Sequence, residues 1–299
     1  MRLHRIIFAL PVYAILLAAA PAWADSADRY PALRESFDPE LQSRLERTLR
    51  GLGLQSAIDQ GKLGVVLADI TDLEDPRLAS VNGDEMFYAA SLPKLAILLG
   101  AFVEIERGDM ALDAATRRSL TEMIRVSSNR AATEMLNRVG RQELLRILRS
   151  EPFRLYDPAV NGGLWVGKDY GPAKAYKRDP LHNLSHGATA LQTARFYYLL
   201  ESGRLVRPAL GREMKAMLAR PGIKHKFVKG LAGIPGVRIY RKSGTWRQWH
   251  ADSALVEAEG RRYILVALAE DPRGGDWLAR MAAPLHRLVV PASLARTPQ

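Results

Sequence analysis

The period of the hydrophobic pattern changes twice along the chain, and these changes constrain the fold more than any other feature. The segment Leu63–Ile70 is a mostly apolar run of strand length. Further on, Ser91–Glu106 is apolar on nearly every side, which is typical of a helix buried inside a domain. Beyond Gly236 the period becomes that of strands, and three strands are predicted between residues 237 and 268. This order favours an α+β fold in which one antiparallel sheet is made from both ends of the chain.

Helices are predicted beside this sheet as well as between its two halves. Pro39 follows Asp38 at a helix start, and Asp276 can cap a final helix. Shorter helices fill the middle of the sequence, where we expect an inserted helical subdomain. The predicted organisation is a signal peptide at 1–24 and one domain at 25–299, with its sheet part at about 25–85 and 226–299 and its helical part at about 86–225.

The first residues have the three parts of a secretory signal peptide. Arg2 and Arg5 form a basic start, Ile6–Ala20 is apolar, and Ala22–Ala24 is a small-x-small cleavage site. The apolar run is shorter than the roughly 20 residues of a membrane span, and no later stretch is longer. We therefore expect a periplasmic or secreted protein with no integral membrane span after cleavage.

The composition restricts the chemistry. The 299 residues contain no cysteine, which excludes a thiol nucleophile, a disulfide framework and cysteine-ligated metal. A nucleophile must then be a serine, a threonine, a lysine or a carboxylate. The net charge is +11, but the basic residues are scattered, so they indicate a solvated basic surface and no nucleic-acid partner. We expect no cofactor and no metal site, and we favour a monomer.

Three short motifs carry the candidate chemistry, and the first is the run Ser91–Lys94. Its spacing of three puts the serine and lysine side chains on one face at the start of the buried helix. Burial and the positive end of the helix dipole both favour a neutral amine at Lys94. A neutral lysine beside a serine hydroxyl is a general base next to a nucleophile. On its own, however, Ser-x-x-Lys is a chance match in most proteins.

The second motif is Ser127–Asn129, which lies between two predicted helices. A hydroxyl at this place can relay a proton to a leaving group, and the amide of Asn129 can hold a substrate carbonyl. Serine and asparagine are also favoured at the N-cap of a helix, so a purely structural interpretation explains these residue types fully.

The third motif is Lys242–Thr245, at the end of a predicted strand. A lysine and two hydroxyls can bind a carboxylate. Gly244 lets the backbone of a substrate lie close to the strand. Taken alone, the motif is equally well explained as the end of a strand followed by a turn.

In this order the three motifs match those of the penicillin-recognising serine enzymes, Ser-x-x-Lys, Ser-x-Asn and Lys-(Ser/Thr)-Gly. The surrounding sequence resembles class A β-lactamases: Phe87–Leu95 is similar to their nucleophile region, Ile124–Ala132 to their second motif, and Thr189–Arg195 to the helix after their active-site loop. The resemblance covers roughly Leu63–Val290. It implies a β-lactamase/transpeptidase-like fold, with flanking N- and C-terminal helices and a shortened helical subdomain.

The resemblance also implies a role for each motif residue. Ser91 becomes acylated, Lys94 takes its proton, and Ser127 passes a proton to the leaving nitrogen. The implied catalytic set is Ser91, Lys94, Ser127 and Lys242, and the implied substrate-binding set is Asn129, Ser243, Gly244 and Thr245. The backbone N–H groups of Ser91 and Thr245 would form the oxyanion hole. The implied partner is a small β-lactam or a peptide with a free carboxylate.

Three departures from the family pattern affect this interpretation. Ser127 follows Ser91 by only 36 positions, so the helical subdomain is short. Ser128 stands where the family has an aspartate. Between the second and third motifs there is no Glu-x-x-Leu-Asn, whose glutamate activates the deacylating water in class A enzymes. The carboxylates in that stretch are Glu151, Asp157, Asp169 and Asp179, and each is explained more simply as a turn or surface residue.

We therefore expect an exported serine acyl hydrolase that forms an acyl-enzyme on Ser91, with β-lactam hydrolysis as the first choice. The alternative within the same chemistry is a D,D-peptidase or amidase acting on cell-wall peptides. The alternative from another class is a protein that binds wall fragments or β-lactams and acylates slowly or not at all. The missing glutamate motivates this last alternative. A serine-dependent glutaminase is a more distant one.

Weaker signals have structural explanations. Gly162–Lys168 imitates a phosphate-binding loop, but Asp169 follows where serine or threonine is needed. His182 and His186 are four residues apart, with no third metal ligand evident. Trp165 could line a substrate cleft, although a packed anchor is the simpler interpretation.

Overall fold

The computed structural model describes residues 29–291, so the predicted signal peptide at 1–24 lies outside the described part of the chain. The strands are β1 (Leu63–Asp69), β2 (Arg77–Val81), β3 (Phe87–Tyr88), β4 (Tyr156–Asp157), β5 (Gly162–Gly163), β6 (Trp165–Val166), β7 (His186–Ala188), β8 (Arg238–Trp246), β9 (Trp249–Ala258) and β10 (Arg261–Glu270). The α-helices are α1 (Pro39–Gly51), α2 (Gln55–Asp59), α3 (Lys94–Arg107), α4 (Ala114–Arg125), α5 (Asn129–Val139), α6 (Arg141–Arg149), α7 (Ala190–Glu201), α8 (Pro208–Leu218), α9 (Phe227–Leu231) and α10 (Gly274–Val289). Two short 3₁₀ helices lie at Leu33–Glu35 and Pro158–Val160.

Five strands form one antiparallel sheet in the order β2-β1-β10-β9-β8. Strand β1 pairs with β10, with Leu67 opposite Leu265, so the two ends of the chain meet in the sheet. Strand β8 pairs with β9 and forms one edge. The predicted α+β fold, with an antiparallel sheet built from both chain ends, is confirmed. Strand β2 was not predicted.

Both faces of this sheet are covered, which explains why β1 is apolar along nearly its whole length. Val65 and Leu67 face the layer of terminal helices, α1, α9 and α10. Val66 and Ala68 face the inserted helices, where α3 and α7 pack. The alternation follows from the period of two along a strand. The inserted helices and the small strands β3–β7 lie between the two halves of the sheet in sequence, and the exact domain boundaries stay a prediction.

The predicted start of α1 is observed, whereas the predicted N-cap of α10 is not. Asp38 caps α1, since its side chain accepts a hydrogen bond from the backbone N–H of Leu41 at 2.7 Å. Helix α10, in contrast, begins at Gly274 and has no side-chain cap. Asp276 lies inside its first turn, where a negative charge interacts favourably with the helix dipole. The prediction that Asp276 caps this helix is therefore wrong.

Helix α3 passes through the apolar core and positions the first motif. It is buried at every residue from Lys94 to Val103 and ends at Arg107, with Gly108 as its C-cap at φ +89°. It begins at Lys94, not at Ser91 as predicted, because Ser91–Pro93 form a turn. The nucleophile candidate thus lies just outside the helix. No helix within residues 29–291 combines the length and apolar character that a bilayer span requires.

Candidate active site

Ser91 lies in a turn between strand β3 and helix α3. The backbone N–H of Leu92 closes the turn by donating to the carbonyl oxygen of Ala89 at 2.9 Å. Ala90 has φ +49°, a left-handed conformation that costs a non-glycine residue roughly 1–3 kcal/mol. The backbone N–H of Ser91 has no backbone acceptor in the described part of the chain. A strained turn with an unpaired N–H can present both a nucleophile and one donor of an oxyanion hole.

Lys94 is fully buried at the start of α3. Its Nζ donates to the carbonyl oxygen of Ser127 at 2.7 Å and to Oδ1 of Asn129 at 2.8 Å. The ring of Tyr170 covers the amine, with its centroid 4.5 Å away. Burial lowers the pKa of Lys94 from 10.5 to about 7. Much of Lys94 is therefore neutral near physiological pH, as a general base requires.

The second motif supplies a hydroxyl that bridges two lysines. Ser127 lies between α4 and α5 with φ +60°. Its Oγ is 3.3 Å from Nζ of Lys94 and 3.0 Å from Nζ of Lys242. Ser128 has a different task, since its Oγ accepts the backbone N–H of Ala131 at 3.2 Å and caps α5. The capping interpretation therefore applies to Ser128, whereas Ser127 contacts the two lysines and its relay role stays a prediction.

Lys242, on strand β8, is the second buried amine of the site. Besides its bond to Ser127, its Nζ donates to the carbonyl oxygen of Ser243 at 2.7 Å. Burial, followed by the positive charge of Lys94, lowers the pKa of Lys242 well below 10.5. The hydroxyl of Ser127 therefore lies within hydrogen-bond distance of two buried amines, a geometry through which a proton can be relayed.

Gly244 lets strand β8 lie directly against the Ser91 turn. A Cβ at this position would be 2.0 Å from the carbonyl oxygen of Ala89 and 2.9 Å from the backbone nitrogen of Ser91. These separations are shorter than any normal contact, so a side chain would push the strand away from the turn. The glycine of the third motif therefore sets the distance between the Ser91 turn and strand β8.

Lys226 is a candidate site residue that the sequence analysis missed. It is buried immediately before α9, and its Nζ donates to the carbonyl oxygen of Gly244 at 2.6 Å and to Oγ1 of Thr245 at 2.8 Å. Burial lowers its pKa to about 8. It places a third buried amine directly behind the hydroxyl of Thr245. No local motif marks it, because its partners belong to another segment of the chain.

A buried ion pair holds the loop that carries Lys226. The guanidinium of Arg241 binds both carboxylate oxygens of Asp252, at 2.7 and 2.9 Å. Arg241 also donates to the carbonyl oxygen of Ile223 at 2.7 Å, and Asp252 accepts the backbone N–H of Phe227 at 3.1 Å. Removing one partner of such a pair is strongly destabilising, because a charge is left buried alone.

A cleft of about 360 Å³ opens in front of Ser91. Its lining residues are Tyr88, Ala90, Ser91, Asn129, Lys168–Pro172, His186, Thr245 and Trp246. The cleft therefore joins members of all three motifs with the loop that precedes β7. Trp246 is half exposed at the rim, whereas Trp249 packs edge-on against Tyr88 at 5.4 Å. Trp246 is thus the tryptophan available to a ligand.

Asp169 is the one deacylation candidate of the four that lines this cleft. Both of its carboxylate oxygens are bound by Arg141, at 3.0 and 2.6 Å. The guanidinium of Arg141 in turn lies over the ring of Tyr176, 5.3 Å from its centroid. Both oxygens of the one cleft-lining candidate are therefore already engaged in a bidentate ion pair with Arg141.

The other three carboxylates are occupied away from the cleft lining. Asp179 is buried, accepts the hydroxyl of Tyr156, and accepts the backbone N–H of His182 at 2.5 Å. Asp157 accepts the backbone N–H of Ala159 at 2.9 Å. Glu151 is exposed, with its carboxylate 3.3 Å from Arg154. The structural interpretation of these residues is the appropriate one.

Tyr170 is the loop residue that faces Lys94. Its hydroxyl donates weakly to the carbonyl oxygen of Ala90 at 3.4 Å, and burial raises the pKa of Tyr170 well above 10. The ring of His186 packs on it, with centroids 4.4 Å apart. Nε2 of His186 donates to the carbonyl oxygen of Lys168 at 3.0 Å, and burial lowers the pKa of His186 to about 4. The loop therefore presents neutral rings to Lys94.

The residues behind the weaker sequence signals have structural contacts. Trp165 is buried against Tyr156, with ring centroids 4.6 Å apart, and does not line the cleft. Gly162–Lys168 contains strands β5 and β6, and the next element is strand β7, whereas a phosphate-binding loop leads directly into a helix. Nε2 of His182 lies 2.8 Å from Oδ1 of Asn161. Across residues 29–291, no three histidine or carboxylate side chains are grouped as a metal site requires.

Known proteins share this fold. The chain is similar to PBP-A, with 18% identity and a TM-score of 0.60 over 79% of this chain and 95% of that one. It is similar to a β-lactamase from Sphaerobacter thermophilus DSM 20745, with 17% identity and a TM-score of 0.61 over 79% and 96%. It is also similar to an ancestral class A β-lactamase (GNCA), with 20% identity and a TM-score of 0.61 over 85% and 100%. No curated protein matches the sequence.

The sequence itself matches a family description. A sequence model of the "Beta-lactamase enzyme family" matches residues 44–119 and 115–288, a span that includes all three motifs. The resemblance inferred from those motifs is thereby confirmed, as is the β-lactamase/transpeptidase-like fold. The chain belongs to the β-lactamase enzyme family.

Proposed function

We propose that this protein is an exported serine acyl hydrolase that reacts with β-lactams, with an acyl-enzyme on Ser91 that water hydrolyses slowly. The observation that carries the proposal is the pair of buried lysines on one hydroxyl. Nζ of Lys94 and Nζ of Lys242 lie 3.3 and 3.0 Å from Oγ of Ser127. Such an arrangement has a clear use in acyl transfer, where one proton leaves a nucleophile and another reaches a leaving nitrogen.

Acylation begins with proton removal from Ser91. Neutral Lys94 accepts the hydroxyl proton while Oγ of Ser91 attacks the β-lactam carbonyl. The negative charge that develops on the carbonyl oxygen is stabilised by the backbone N–H groups of Ser91 and Thr245. Removal of one such donor typically lowers the rate about 10²–10³-fold.

Ring opening requires a proton on the leaving nitrogen. Ser127 donates its hydroxyl proton to this nitrogen and is reprotonated by the ammonium that formed on Lys94. Lys242, at 3.0 Å, stabilises the transient negative charge on Oγ of Ser127. Atoms and charges balance, because the proton that leaves Ser91 ends on the nitrogen.

Substrate orientation is assigned to the third motif and Asn129. The carboxylate of a β-lactam binds the hydroxyls of Ser243 and Thr245, with Lys226 supplying positive charge behind Thr245. Asn129, which lines the cleft, holds the side-chain amide of the substrate. All these groups are neutral donors or cations, which suits a substrate with a free carboxylate.

Deacylation is the slow step of the proposed cycle. Both carboxylate oxygens of Asp169 accept hydrogen bonds from Arg141, and Tyr170 faces Lys94 as a neutral ring. The engagement of Asp169 by Arg141 also favours a second candidate function, that of a penicillin-binding D,D-peptidase whose acyl-enzyme with β-lactams is long-lived. Among similar structures, a leucine-to-glutamate variant of PBP-A was solved as an acyl-enzyme complex with penicillin G.

The proposal is tested by the intact mass of the mature protein after mixing with a penicillin, in parallel with a chromogenic cephalosporin assay. We expect an adduct of the mass of the penicillin, with slow colour development. Ser91→Ala should abolish the adduct. Ser43→Ala, at an exposed serine of α1, is the matched control and should label as the wild type does.

Each result has a defined meaning. An adduct that disappears rapidly while colour develops assigns efficient β-lactam hydrolysis, and Asp169 would then be substituted as the next candidate base. A stable adduct without turnover assigns the penicillin-binding peptidase. Labelling that survives Ser91→Ala, or the absence of both adduct and turnover, would refute the proposed acylation.

A further inference from the structure

A second cavity, of about 170 Å³, lies between the N-terminal 3₁₀ helix and helix α7. It shares no lining residue with the catalytic cleft. Leu33 and Pro152 contribute apolar walls, and the polar lining includes Arg195, Arg204 and Tyr198. Its volume is several times the share of one water molecule, so a small ligand group fits.

Two of the guanidiniums close to this cavity are already neutralised. Arg34 binds both carboxylate oxygens of Asp84 at 2.7 Å. Arg154 lies 3.0 Å from a carboxylate oxygen of Asp157 and 3.3 Å from one of Glu151, which is at the rim of the cavity. The nearby carboxylates are therefore engaged by these two arginines.

Arg195 and Arg204, in contrast, form no ion pair with any carboxylate among residues 29–291. One nitrogen of Arg195 donates to the carbonyl oxygen of Arg154 at 2.8 Å and to Oε1 of Gln192 at 2.6 Å. Burial, then the positive charges of neighbouring arginines, lowers the pKa of Arg195 to about 10. The side chain remains charged at neutral pH, and its charge is not neutralised by an ion pair within the described residues.

Arg204 is held by neutral groups in a similar way. Its Nε donates to Oγ of Ser202 at 2.9 Å, and its guanidinium lies 5.0 Å from the ring centroid of Tyr198. These contacts fix the plane of the guanidinium without neutralising it. Two oriented and half-buried guanidiniums beside one cavity form an arrangement that binds oxyanions through paired N–H donors.

We propose that this cavity is a binding site for a phosphate group, separate from the catalytic cleft, with Arg195 and Arg204 as its two cationic walls. A phosphate monoester carries close to two negative charges at neutral pH, which matches the two guanidiniums that have no carboxylate partner. Its three terminal oxygens can accept hydrogen bonds from both arginines at once. Neither the catalytic residues nor their chemistry enter this proposal.

The test is isothermal titration calorimetry of the mature protein with inorganic phosphate, at a constant ionic strength set with chloride. We expect one site in the wild type. Arg195→Gln and Arg204→Gln should each weaken binding about tenfold or more, because each removes charge-assisted hydrogen bonds. Arg212→Gln, at an exposed arginine of α8, is the matched control and should bind as the wild type does.

Further measurements separate a loss of phosphate binding from a loss of folding. Circular dichroism checks that each variant is folded, and Arg195→Lys and Arg204→Lys replace any glutamine variant that unfolds. The lysine variants should also bind more weakly, because lysine lacks the planar fork of arginine. No binding to the wild type, or equal binding by all variants, would overturn the proposal.

A sedimentation assay distinguishes the source of the phosphate group. Phosphatidylcholine vesicles with and without phosphatidic acid are the probes. Retention only on the phosphatidic acid vesicles, lost in Arg195→Gln and Arg204→Gln, would assign a lipid headgroup. Binding of inorganic phosphate without vesicle retention would assign a soluble or polymer-borne phosphate.

Discussion

Acylation of Ser91 by a penicillin should become faster as the pH rises through the pKa of Lys94. Burial lowers this pKa from 10.5 to about 7, so about half of the amine is neutral at pH 7. With an unperturbed pKa the neutral fraction would be on the order of a thousandfold smaller. Because only the neutral amine accepts the serine proton, the rate should rise about tenfold per pH unit below pH 7 and level off above it.

The assay is the second-order rate constant of penicillin labelling, followed by intact mass between about pH 5 and pH 9. Lys94→Ala should lower the plateau and remove the inflection near pH 7. Lys62→Ala, at an exposed lysine, should leave both unchanged. An inflection near pH 10, or an identical profile for the wild type and Lys94→Ala, would refute the assignment of Lys94 as the base.

Two further substitutions test the third motif. Gly244→Ala should lower the labelling rate at least about a hundredfold and destabilise the fold by about 1–3 kcal/mol, because its Cβ would lie 2.0 Å from the carbonyl oxygen of Ala89. Labelling and thermal unfolding measure the two effects. Gly211→Ala, inside helix α8 with the nearest atom 3.7 Å away, is the control and should leave the labelling rate unchanged while stabilising the fold by about 0.5–1 kcal/mol. Lys226→Met should slow labelling by carboxylate-bearing penicillins about tenfold, while a thioester without a carboxylate reacts equally with both proteins; equal slowing of the two substrates would contradict the assigned role.

Local sequence predicted most elements of the fold, because their signals depend on neighbouring residues. The nearly all-apolar run of α3 and the helix start at Asp38 and Pro39 are of this kind. Strand β2 was missed because the segment Arg77–Val81 has little apolar pattern and is a strand only through its pairing with β1. The start of α3 was also placed too early, since Ser91–Pro93 form a turn against strand β8.

The residues of the candidate site divide in the same way, into those within short motifs and those brought in by tertiary packing. Ser91, Ser127 and Lys242 could be named from motifs, because each motif is short and continuous. Lys226 and Tyr170 could not, since one reaches Thr245 from a separate loop and the other covers Lys94 from the segment before β7. Such contacts depend on the packing of distant segments, which has no periodic signature in the sequence.

By itself, the sequence determined the α+β order of elements, the three motifs and the absence of a family glutamate, since these depend on residue identity and short spacing. Only the tertiary structure decided how charged groups are paired. It buried Lys94 and Lys242 on one hydroxyl, bound Asp169 to Arg141, and left Arg195 beside Arg204 without a described carboxylate partner. The physical reason is that pKa and charge pairing depend on burial and on distances across the fold, and neither is a property of a chain segment taken alone.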